Sequence, residues 1–341
     1  MLDFIPDYIY LFVFGLILLI KGGDWFVDGA QNIAVKFKVP ELLIGATVVS
    51  IGTTLPEVMT SATSALTGHG EIAYGNAIGS IICNTALIAA ITIAIKPGKS
   101  DRKTLLFPTC FFFGAAIFYS IVAYAGSKFT RPVGIVLLCA FVAYMVINVV
   151  NMKKNPSSES PAAELPEEAS VSQSSVSEIS IVKSLFWLVV GALAIAVGAD
   201  LLVDSSTIIA KNLGMSEAVI GLTVVALGTS LPELVTAITA LSKGHGALSL
   251  GNVIGANIFN LVLVSGVAVT LSPFTVPLTS ELFGQNVSFV LDIPVMLSVM
   301  ALLTIPAIIK NKLSRWQGIT LLSIYVLFLV AQFVFVKPIA V

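Results

Sequence analysis

Charged residues are scarce in this chain of 341 residues. Asp, Glu, Lys and Arg make up only 11% of it, against 57% for AVILMFWYC residues, whereas soluble domains hold about 25% charged residues. So few charges exclude a soluble globular domain, and a net charge of −1 gives no basis for binding nucleic acid. The cysteines are also few, and Cys83, Cys110 and Cys139 all fall inside apolar runs, so we expect neither a disulfide framework nor a thiolate metal site.

The apolar residues form ten runs that could each cross a bilayer as a helix, for which about 20 residues suffice. The runs lie at roughly 7–34, 41–67, 71–95, 104–125, 131–151, 181–210, 217–242, 247–271, 288–309 and 316–336. The first run follows Asp3 and Asp7 rather than basic residues, which is typical of a retained helix and not of a signal peptide. The sequence therefore predicts an all-α polytopic membrane protein with ten transmembrane helices.

The chain repeats itself at an offset of 176 residues. GATVVSIGTTLPE (45–57) returns as GLTVVALGTSLPE (221–233), and GNAIGSIICN (75–84) returns as GNVIGANIFN (251–260). Of the 70 positions in 15–84, 29 are identical to their partners. Each half holds five predicted helices, an odd number, so the second copy enters the membrane from the opposite side. Two inverted five-helix repeats are the architecture of secondary transporters, whose sites lie near the bilayer midplane.

A polar segment separates the two repeats. Residues 152–180 are rich in Ser, Glu and Pro and poor in apolar residues, a composition that predicts a disordered linker. It divides the chain into a first repeat, 1–151, and a second repeat, 181–341. If the N-terminus lies outside, thirteen Lys and Arg residues fall in cytoplasmic loops and four in outer loops. Because cytoplasmic loops carry the excess of these residues, we expect both termini on the outer side of the membrane and the linker in the cytoplasm. The membrane expected is the inner membrane of a prokaryotic cell.

Each repeat places a proline and a glutamate inside an apolar helix. Pro56 and Pro232 lack an N–H donor and clash with the carbonyl four residues earlier, so helices 2 and 7 are predicted to break or kink. A charge at a helix centre costs about 2.5–3.5 kcal/mol, which a bound cation would offset at Glu57 and Glu233. Hydroxyl and amide side chains recur at helical spacing around them: Thr53, Thr54, Ser80, Asn84, Thr229, Ser230 and Asn260. Such an oxygen-only set fits Ca²⁺ or Na⁺.

Other recurring residues have simpler interpretations. Four glycines at four-residue spacing are expected to pack helices closely: Gly75, Gly79, Gly251 and Gly255. Two turn histidines are expected to be solvated: His69 and His245. Four aspartates near helix ends are expected to orient or cap helices: Asp24, Asp28, Asp200 and Asp204. Lys21, which has no counterpart, is expected to snorkel or to pair with Asp24. Taken alone, Asn84 and Asn260 would also fit interhelical hydrogen bonds.

At these motifs the sequence resembles the cation/calcium exchanger superfamily, most closely its prokaryotic sodium/calcium exchanger branch. The two GT[TS]LPE and the two GNxxG…N segments are similar to that family's paired alpha-repeats, in the same order and separation. The resemblance implies that helices 2, 3, 7 and 8 enclose the ion sites and that helices 1 and 6 slide past them. It implies Glu57 and Glu233 as shared Ca²⁺ ligands. It implies further ligands for Ca²⁺ or Na⁺ at the side chains of Thr53, Thr54, Thr229, Ser230, Ser80, Asn84 and Asn260 and at the main-chain oxygens of Ser50 and Ala226.

Three positions depart from the family's pattern. Ala256 stands where the second repeat usually has the serine that matches Ser80, and Ile81 replaces the usual asparagine of GSN. Asn260 takes a position that is Asp in some members. Because Ala256 and Asn260 border the implied ion sites, these departures bear on how many Na⁺ ions bind.

The function expected is a secondary antiporter that exports Ca²⁺ in exchange for Na⁺, with no cofactor and no partner beyond the bilayer and the transported ions. A proton-coupled exchanger, or one that exports Mn²⁺ or Mg²⁺, would use the same oxygen ligands. A passive cation channel is disfavoured, because two inverted, proline-broken repeats without a continuous acidic ring favour alternating access. An enzyme is also disfavoured, since the spans hold no histidine ligand pair and no nucleophile–base pair.

Overall fold

The computed structural model describes residues 7–37, 39–68, 70–154, 180–212, 228, 230–277 and 280–338. Its ten principal helices are α1 (Asp7–Phe37), α2 (Glu41–Leu66), α3 (Gly70–Ile95), α4 (Arg102–Gly126), α5 (Arg131–Lys154), α6 (Ile181–Asn212), α7 (Leu231–Ser242), α8 (Gly246–Leu271), α9 (Ser288–Lys310) and α10 (Arg315–Phe335). Within these described ranges, nine helices are long and apolar enough to cross a membrane. The tenth, α7, is shorter, and residues 213–227 before it lie outside the description. The predicted all-α polytopic fold is confirmed.

Short strands join the loops at one end of the helical bundle. β1 (Lys128–Phe129), after α4, pairs antiparallel with β2 (Phe274–Thr275), after α8. β3 (Ser280–Leu282) pairs antiparallel with β4 (Gln285–Asn286) and with β5 (Lys337–Pro338), which follows α10. These strands therefore tie together the loops at which α4, α8 and α10 end and α9 begins.

Helices α1 and α6 pack with their backbones in close contact. A Cβ atom added at Gly22 of α1 would lie 2.9 Å from the Cβ of Ala194, and one at Gly191 of α6 would lie 2.8 Å from the Cα of Phe26. Small residues allow membrane helices to approach this closely, which increases van der Waals contact between them. Phe26 and Leu188 belong to an apolar cluster that is separate from the larger core formed mainly by α3, α4, α8 and α9. The two helices thus form a pair at the side of the bundle.

Glycines of α8 bring this helix against the start of α2. A Cβ atom at Gly251 would lie 2.9 Å from the Cα of Leu42, and one at Gly255 would lie 2.6 Å from the Cα of Ala46. The predicted close packing is confirmed for these two glycines. For Gly75 and Gly79, the segment that would face them under the repeat offset lies outside the described residues.

The turn that follows α7 has the same backbone conformation as its partner after α2. Gly68 has φ +85° and Gly244 has φ +87°, in the left-handed region that glycine adopts without steric cost. His245, in the second turn, was expected to be solvated, but it is largely buried. Its Nδ1 lies 3.0 Å from Oε1 of Glu41, and both side chains are only 14% exposed. His69 lies outside the described residues.

Candidate cation-binding site

Three segments of π-helix interrupt the helices at the centre of the bundle. One, Gly45–Val49, directly precedes Ser50 in α2. The others are Asn84–Ala89 in α3 and Asn260–Val264 in α8, and each begins at a predicted ligand. Such π-helical turns frequently occur at functional sites. Because Asn84 and Asn260 are repeat partners, α3 and α8 have a π-helical segment at the same position of the repeat.

The two prolines act differently on their helices. α2 remains helical through Pro56, so of the break or kink expected there the break is absent, and the π-helical segment of α2 ends directly before Ser50. In the second repeat, α7 begins at Leu231, with Pro232 in its first turn. A proline is tolerated at this place because the first N–H groups of a helix have no intrahelical acceptor. Glu233 consequently lies in the first turn of α7, and Glu57 lies inside α2.

Both glutamates are completely buried. Glu57 and Glu233 have 0% exposure, and no oxygen of either carboxylate has a hydrogen-bond partner among the described residues. The two carboxylates also lie within electrostatic range of each other. Burying two unpaired carboxylates together is strongly unfavourable unless positive charge accompanies them. Bound protons or a metal cation could supply this positive charge, so the pair is a candidate cation site.

Hydroxyl groups of the first repeat face the Glu233 carboxylate of the second. The side chains of Thr53 and Thr54, in α2, face the Glu233 carboxylate of α7. Thr54 Oγ1 and Ser230 Oγ are buried and make no hydrogen bond to the described residues. Unpartnered oxygens beside two carboxylates are suitable ligands for Ca²⁺ or Na⁺, which bind oxygen donors.

Asn84 and Asn260 are buried without hydrogen bonds. Both have 0% exposure, and neither the oxygen nor the nitrogen of either amide has a partner in the described part of the chain. Neither amide therefore makes an interhelical hydrogen bond within the described part of the chain. Buried amides are normally satisfied, so their free oxygens are consistent with a role as ligands.

Of the remaining predicted ligands, some lie among the described residues and some do not. Ser80 is buried one turn before Asn84, and Ala256 is fully buried one turn before Asn260. The methyl group of Ala256 thus occupies the place that mirrors the Ser80 hydroxyl. Thr229 and Ala226 lie outside the described residues. Coordination by the main-chain oxygen of Ser50 stays a prediction.

Asn252, which the sequence interpretation did not select, contacts two of the predicted ligands. Its Oδ1 lies 3.3 Å from the hydroxyl oxygens of Ser50 and Thr53. Its repeat partner, Asn76, instead donates from Nδ2 to Ser61 Oγ at 2.8 Å. Both asparagines stand in the repeated GNxxG motif, so the repeat alone could have marked them as candidate site residues. Their contacts depend on residues far away in sequence and required the structure.

Cys83 also borders the site. Its thiol faces the hydroxyls of Ser230 and Tyr325, and both glutamates lie within electrostatic range of it. All three cysteines are free, in agreement with the expectation of no disulfide. The repeat did not draw attention to this position because Phe259 occupies it in the second half.

Among the described residues, nine helices are long and apolar enough to cross a membrane, and two mirrored carboxylates are buried beside oxygen donors. This arrangement is typical of a polytopic membrane transporter. The chain belongs to the sodium/calcium exchanger protein family, whose sequence pattern matches residues 8–150 and 183–334. Members of this family are ion transporters, so the protein is a transporter and not an enzyme.

Two archaeal proteins are similar over nearly their whole length. An uncharacterized membrane protein of Methanocaldococcus jannaschii, MJ0091, is 37% identical over 93% of this chain and 95% of its own length. The sodium/calcium exchanger MaX1 of Methanosarcina acetivorans is 32% identical over 95% of this chain and 97% of its own length. The chain therefore matches full-length proteins and not an isolated part of them.

Solved structures of the sodium-calcium exchanger NCX_Mj have the same fold. One, from crystals soaked with Na⁺ and Sr²⁺, superimposes with a TM-score of 0.76 at 35% sequence identity, over 95% of this chain and 98% of that chain. Another, soaked with Na⁺ without Ca²⁺, gives a TM-score of 0.75 at 34% identity.

Proposed function

We propose that this protein is a secondary antiporter that exports Ca²⁺ in exchange for Na⁺ by alternating access. The observation that carries the proposal is the buried pair Glu57 and Glu233, whose carboxylate oxygens have no hydrogen-bond partner among the described residues. Their charge of −2 is balanced by one Ca²⁺ or by two Na⁺. Ca²⁺ and Na⁺ therefore compete for overlapping sites around the same carboxylates, and this competition couples the two fluxes.

The proposed ligands come from both repeats. The two glutamates bind Ca²⁺, and hydroxyl and amide oxygens complete the sites for Ca²⁺ and Na⁺. These further ligands are the side chains of Thr53, Thr54, Thr229, Ser230, Ser80, Asn84 and Asn260 and the main-chain oxygens of Ser50 and Ala226. The transported ions are substrates, and exchange requires no cofactor and no protein partner.

The distribution of Lys and Arg supports an orientation with both termini outside the cell, in a prokaryotic inner membrane. The 152–180 linker is then cytoplasmic, as is the turn between α7 and α8. In this orientation the gradient of Na⁺ drives Na⁺ inward while Ca²⁺ leaves the cytoplasm.

Ion flux in proteoliposomes tests the exchange. Purified protein is reconstituted into vesicles loaded with Na⁺, and these are diluted into Na⁺-free buffer that contains radioactive Ca²⁺. We expect Ca²⁺ uptake that requires the outward Na⁺ gradient and stops when an ionophore dissipates it. Vesicles without protein provide the control.

The same assay separates the alternative functions. Uptake driven only by a pH gradient would contradict coupling to Na⁺ and indicate proton-coupled exchange. Ca²⁺ flux that needs no counter-ion would indicate a channel. Preferential uptake of radioactive Mn²⁺, measured in parallel, would identify a different cargo for the same oxygen ligands.

A further inference from the structure

An ion cluster joins α1 to the turn between α7 and α8. Lys243 Nζ lies 2.7 Å from Oδ1 of Asp28 and 3.4 Å from Oδ1 of Asp24. It also donates a hydrogen bond to the main-chain oxygen of Asp24 at 3.2 Å. The two aspartates are four residues apart and thus lie on one face of α1. Asp24 therefore pairs with Lys243 and not with Lys21, as the sequence interpretation had allowed.

This cluster lies at the end of a close contact between α1 and α7. A Cβ atom at Gly23 would lie 2.8 Å from Val235 Cγ1 and 3.0 Å from Thr239 Oγ1, so α1 packs directly on α7 at this point. The same turn is also attached to α2, because His245 contacts Glu41. Lys243 thus connects α1 to a turn that is itself held by the helices of the cation site.

The internal repeat reproduces only part of this cluster. Under the offset of 176 residues, Asp24 and Asp28 correspond to Asp200 and Asp204, but Lys243 corresponds to Thr67. The turns themselves have matching conformations, as Gly68 and Gly244 show. Because threonine carries no charge, the mirror ion pair cannot form with Thr67 at the opposite end of the bundle.

This asymmetry has a consequence for a transporter built from inverted repeats. In such proteins one set of helices rocks or slides against the other around a fixed site. Under the pseudo-two-fold symmetry, a contact made at one end in one state has its mirror at the other end in the other state. An ion pair present in only one of the two mirrored places therefore stabilises only one of the two states.

We propose that Lys243 is a positioning residue of the exchange cycle, which holds α1 on the α7–α8 turn and favours the state that is closed at this end. The inference rests on the proposed function, since it requires α1 to move relative to α7 and α8. With the proposed orientation, the closed end is cytoplasmic and the favoured state opens outward. The three side chains are 27%, 39% and 60% exposed, so the bias is modest, about two- to fivefold in the population ratio of the states.

Two substitutions that exchange the mirrored residues test this role. Lys243→Thr removes the cation, and Thr67→Lys introduces one opposite the second pair of aspartates. Lys243→Arg, which retains the charge, is the matched control. The measured quantity is the ratio of the half-saturating Ca²⁺ concentrations at the outer and cytoplasmic faces, in proteoliposomes whose protein orientation is fixed by sided labelling. The apparent affinity at a face falls when the state open to that face is less populated.

We expect Lys243→Thr to raise the outer-to-cytoplasmic ratio about two- to fivefold, because it removes the contact that favours the outward-open state. Thr67→Lys should raise the ratio as well, because the mirror ion pair holds the outer end closed and favours the inward-open state. Asp28→Asn should also raise the ratio and should add little to Lys243→Thr, because the two substitutions remove the same interaction. A purely structural ion pair would change thermal stability and leave the ratio constant. Normal exchange by Lys243→Thr with an unchanged ratio would therefore overturn this role of Lys243 and leave the proposed function standing. Absence of Na⁺-driven Ca²⁺ uptake by the unsubstituted protein would overturn the proposed function as well.

Discussion

Oδ1 of Asn252 in α8 lies 3.3 Å from Oγ1 of Thr53 in α2, so an amide of the second repeat contacts a predicted ligand of the first. A hydroxyl that donates its hydrogen to an amide oxygen keeps its own lone pairs for another partner. Thr53 faces the Glu233 carboxylate, where those lone pairs are available to a cation. If Thr53 is a ligand, as proposed, Asn252 orients it without being required as a ligand itself.

Replacing Asn252 by alanine should weaken cation binding. Thr53 would lose its acceptor, at a cost of about 0.5–1.5 kcal/mol for one hydrogen bond, whereas the Ser50 hydroxyl keeps the Gly45 carbonyl oxygen at 2.7 Å. Calorimetric titration of the purified variant with Ca²⁺ measures the loss. Asn148→Ala is the matched control, since Asn148 is equally buried but its Nδ2 donates to the Tyr144 carbonyl in α5. Equal effects of both substitutions would contradict a specific role for Asn252.

Glu57→Gln and Glu233→Gln should each abolish exchange and leave the protein folded. Each substitution removes one of the two charges that balance Ca²⁺, and the loss of a buried partner charge costs about 3–5 kcal/mol. The measurement is Na⁺-driven Ca²⁺ uptake in proteoliposomes, with monodispersity in detergent as the test of folding. Glu281→Gln, in β3, should leave uptake unchanged. Near-normal uptake by either of the first two variants would refute the central role of the glutamates.

Ala256→Ser should tighten Na⁺ binding. It restores the hydroxyl that Ser80 supplies in the first repeat, and one added oxygen is worth about 0.5–1.5 kcal/mol, on the scale of one net hydrogen bond. Ca²⁺ depends chiefly on the carboxylates, so its affinity without Na⁺ should change little. Inhibition of Ca²⁺ binding by Na⁺, followed by calorimetry, gives the midpoint. Ala268→Ser, at another buried alanine of α8, is the control, and an unchanged midpoint in Ala256→Ser would show that this position does not border a Na⁺ site.

Gly251→Ala should destabilise the fold. The added methyl group would meet the main-chain carbonyl of Leu42, which cannot move without displacing α2. Overpacking of this kind costs about 1–3 kcal/mol, which thermal unfolding in detergent would detect. Gly114→Ala, in α4, is the matched control, because a Cβ atom there has no neighbour within 4 Å. Equal melting temperatures for the two variants would contradict the close packing of α8 on α2.

Deleting most of residues 155–178 should leave exchange largely intact. The composition of this segment cannot form a core, and the proposed topology places both of its ends on the same side of the membrane. The segment lies outside the described residues, so the prediction comes from the sequence. Na⁺-driven Ca²⁺ uptake by a variant that keeps a short connection between Lys154 and Ser180 provides the measurement. Loss of uptake despite normal membrane insertion would reveal a regulatory element in the linker.

The sequence by itself determined the membrane-spanning class, the repeat and the central residues. Long apolar runs predict spanning helices because lipid offers no partners for backbone polar groups. The offset of 176 residues pairs Glu57 with Glu233 and Asn84 with Asn260 before any contact is known. These features can be recognised from the sequence because each depends only on composition or on the similarity between two segments of the same chain.

Only the tertiary structure decided which side chains meet across the repeats. Asn252 contacts Ser50, Cys83 faces Ser230, and Lys243 reaches Asp28 over 215 residues of chain. It also decided that α2 stays helical through Pro56, with its irregularity in a π-helical segment before Ser50. Local spacing predicts neighbours on one helix, but these contacts depend on how helices distant in sequence pack. The spacing of Gly251 and Gly255 predicts close packing of their helix, but only the structure shows that the partner is the start of α2.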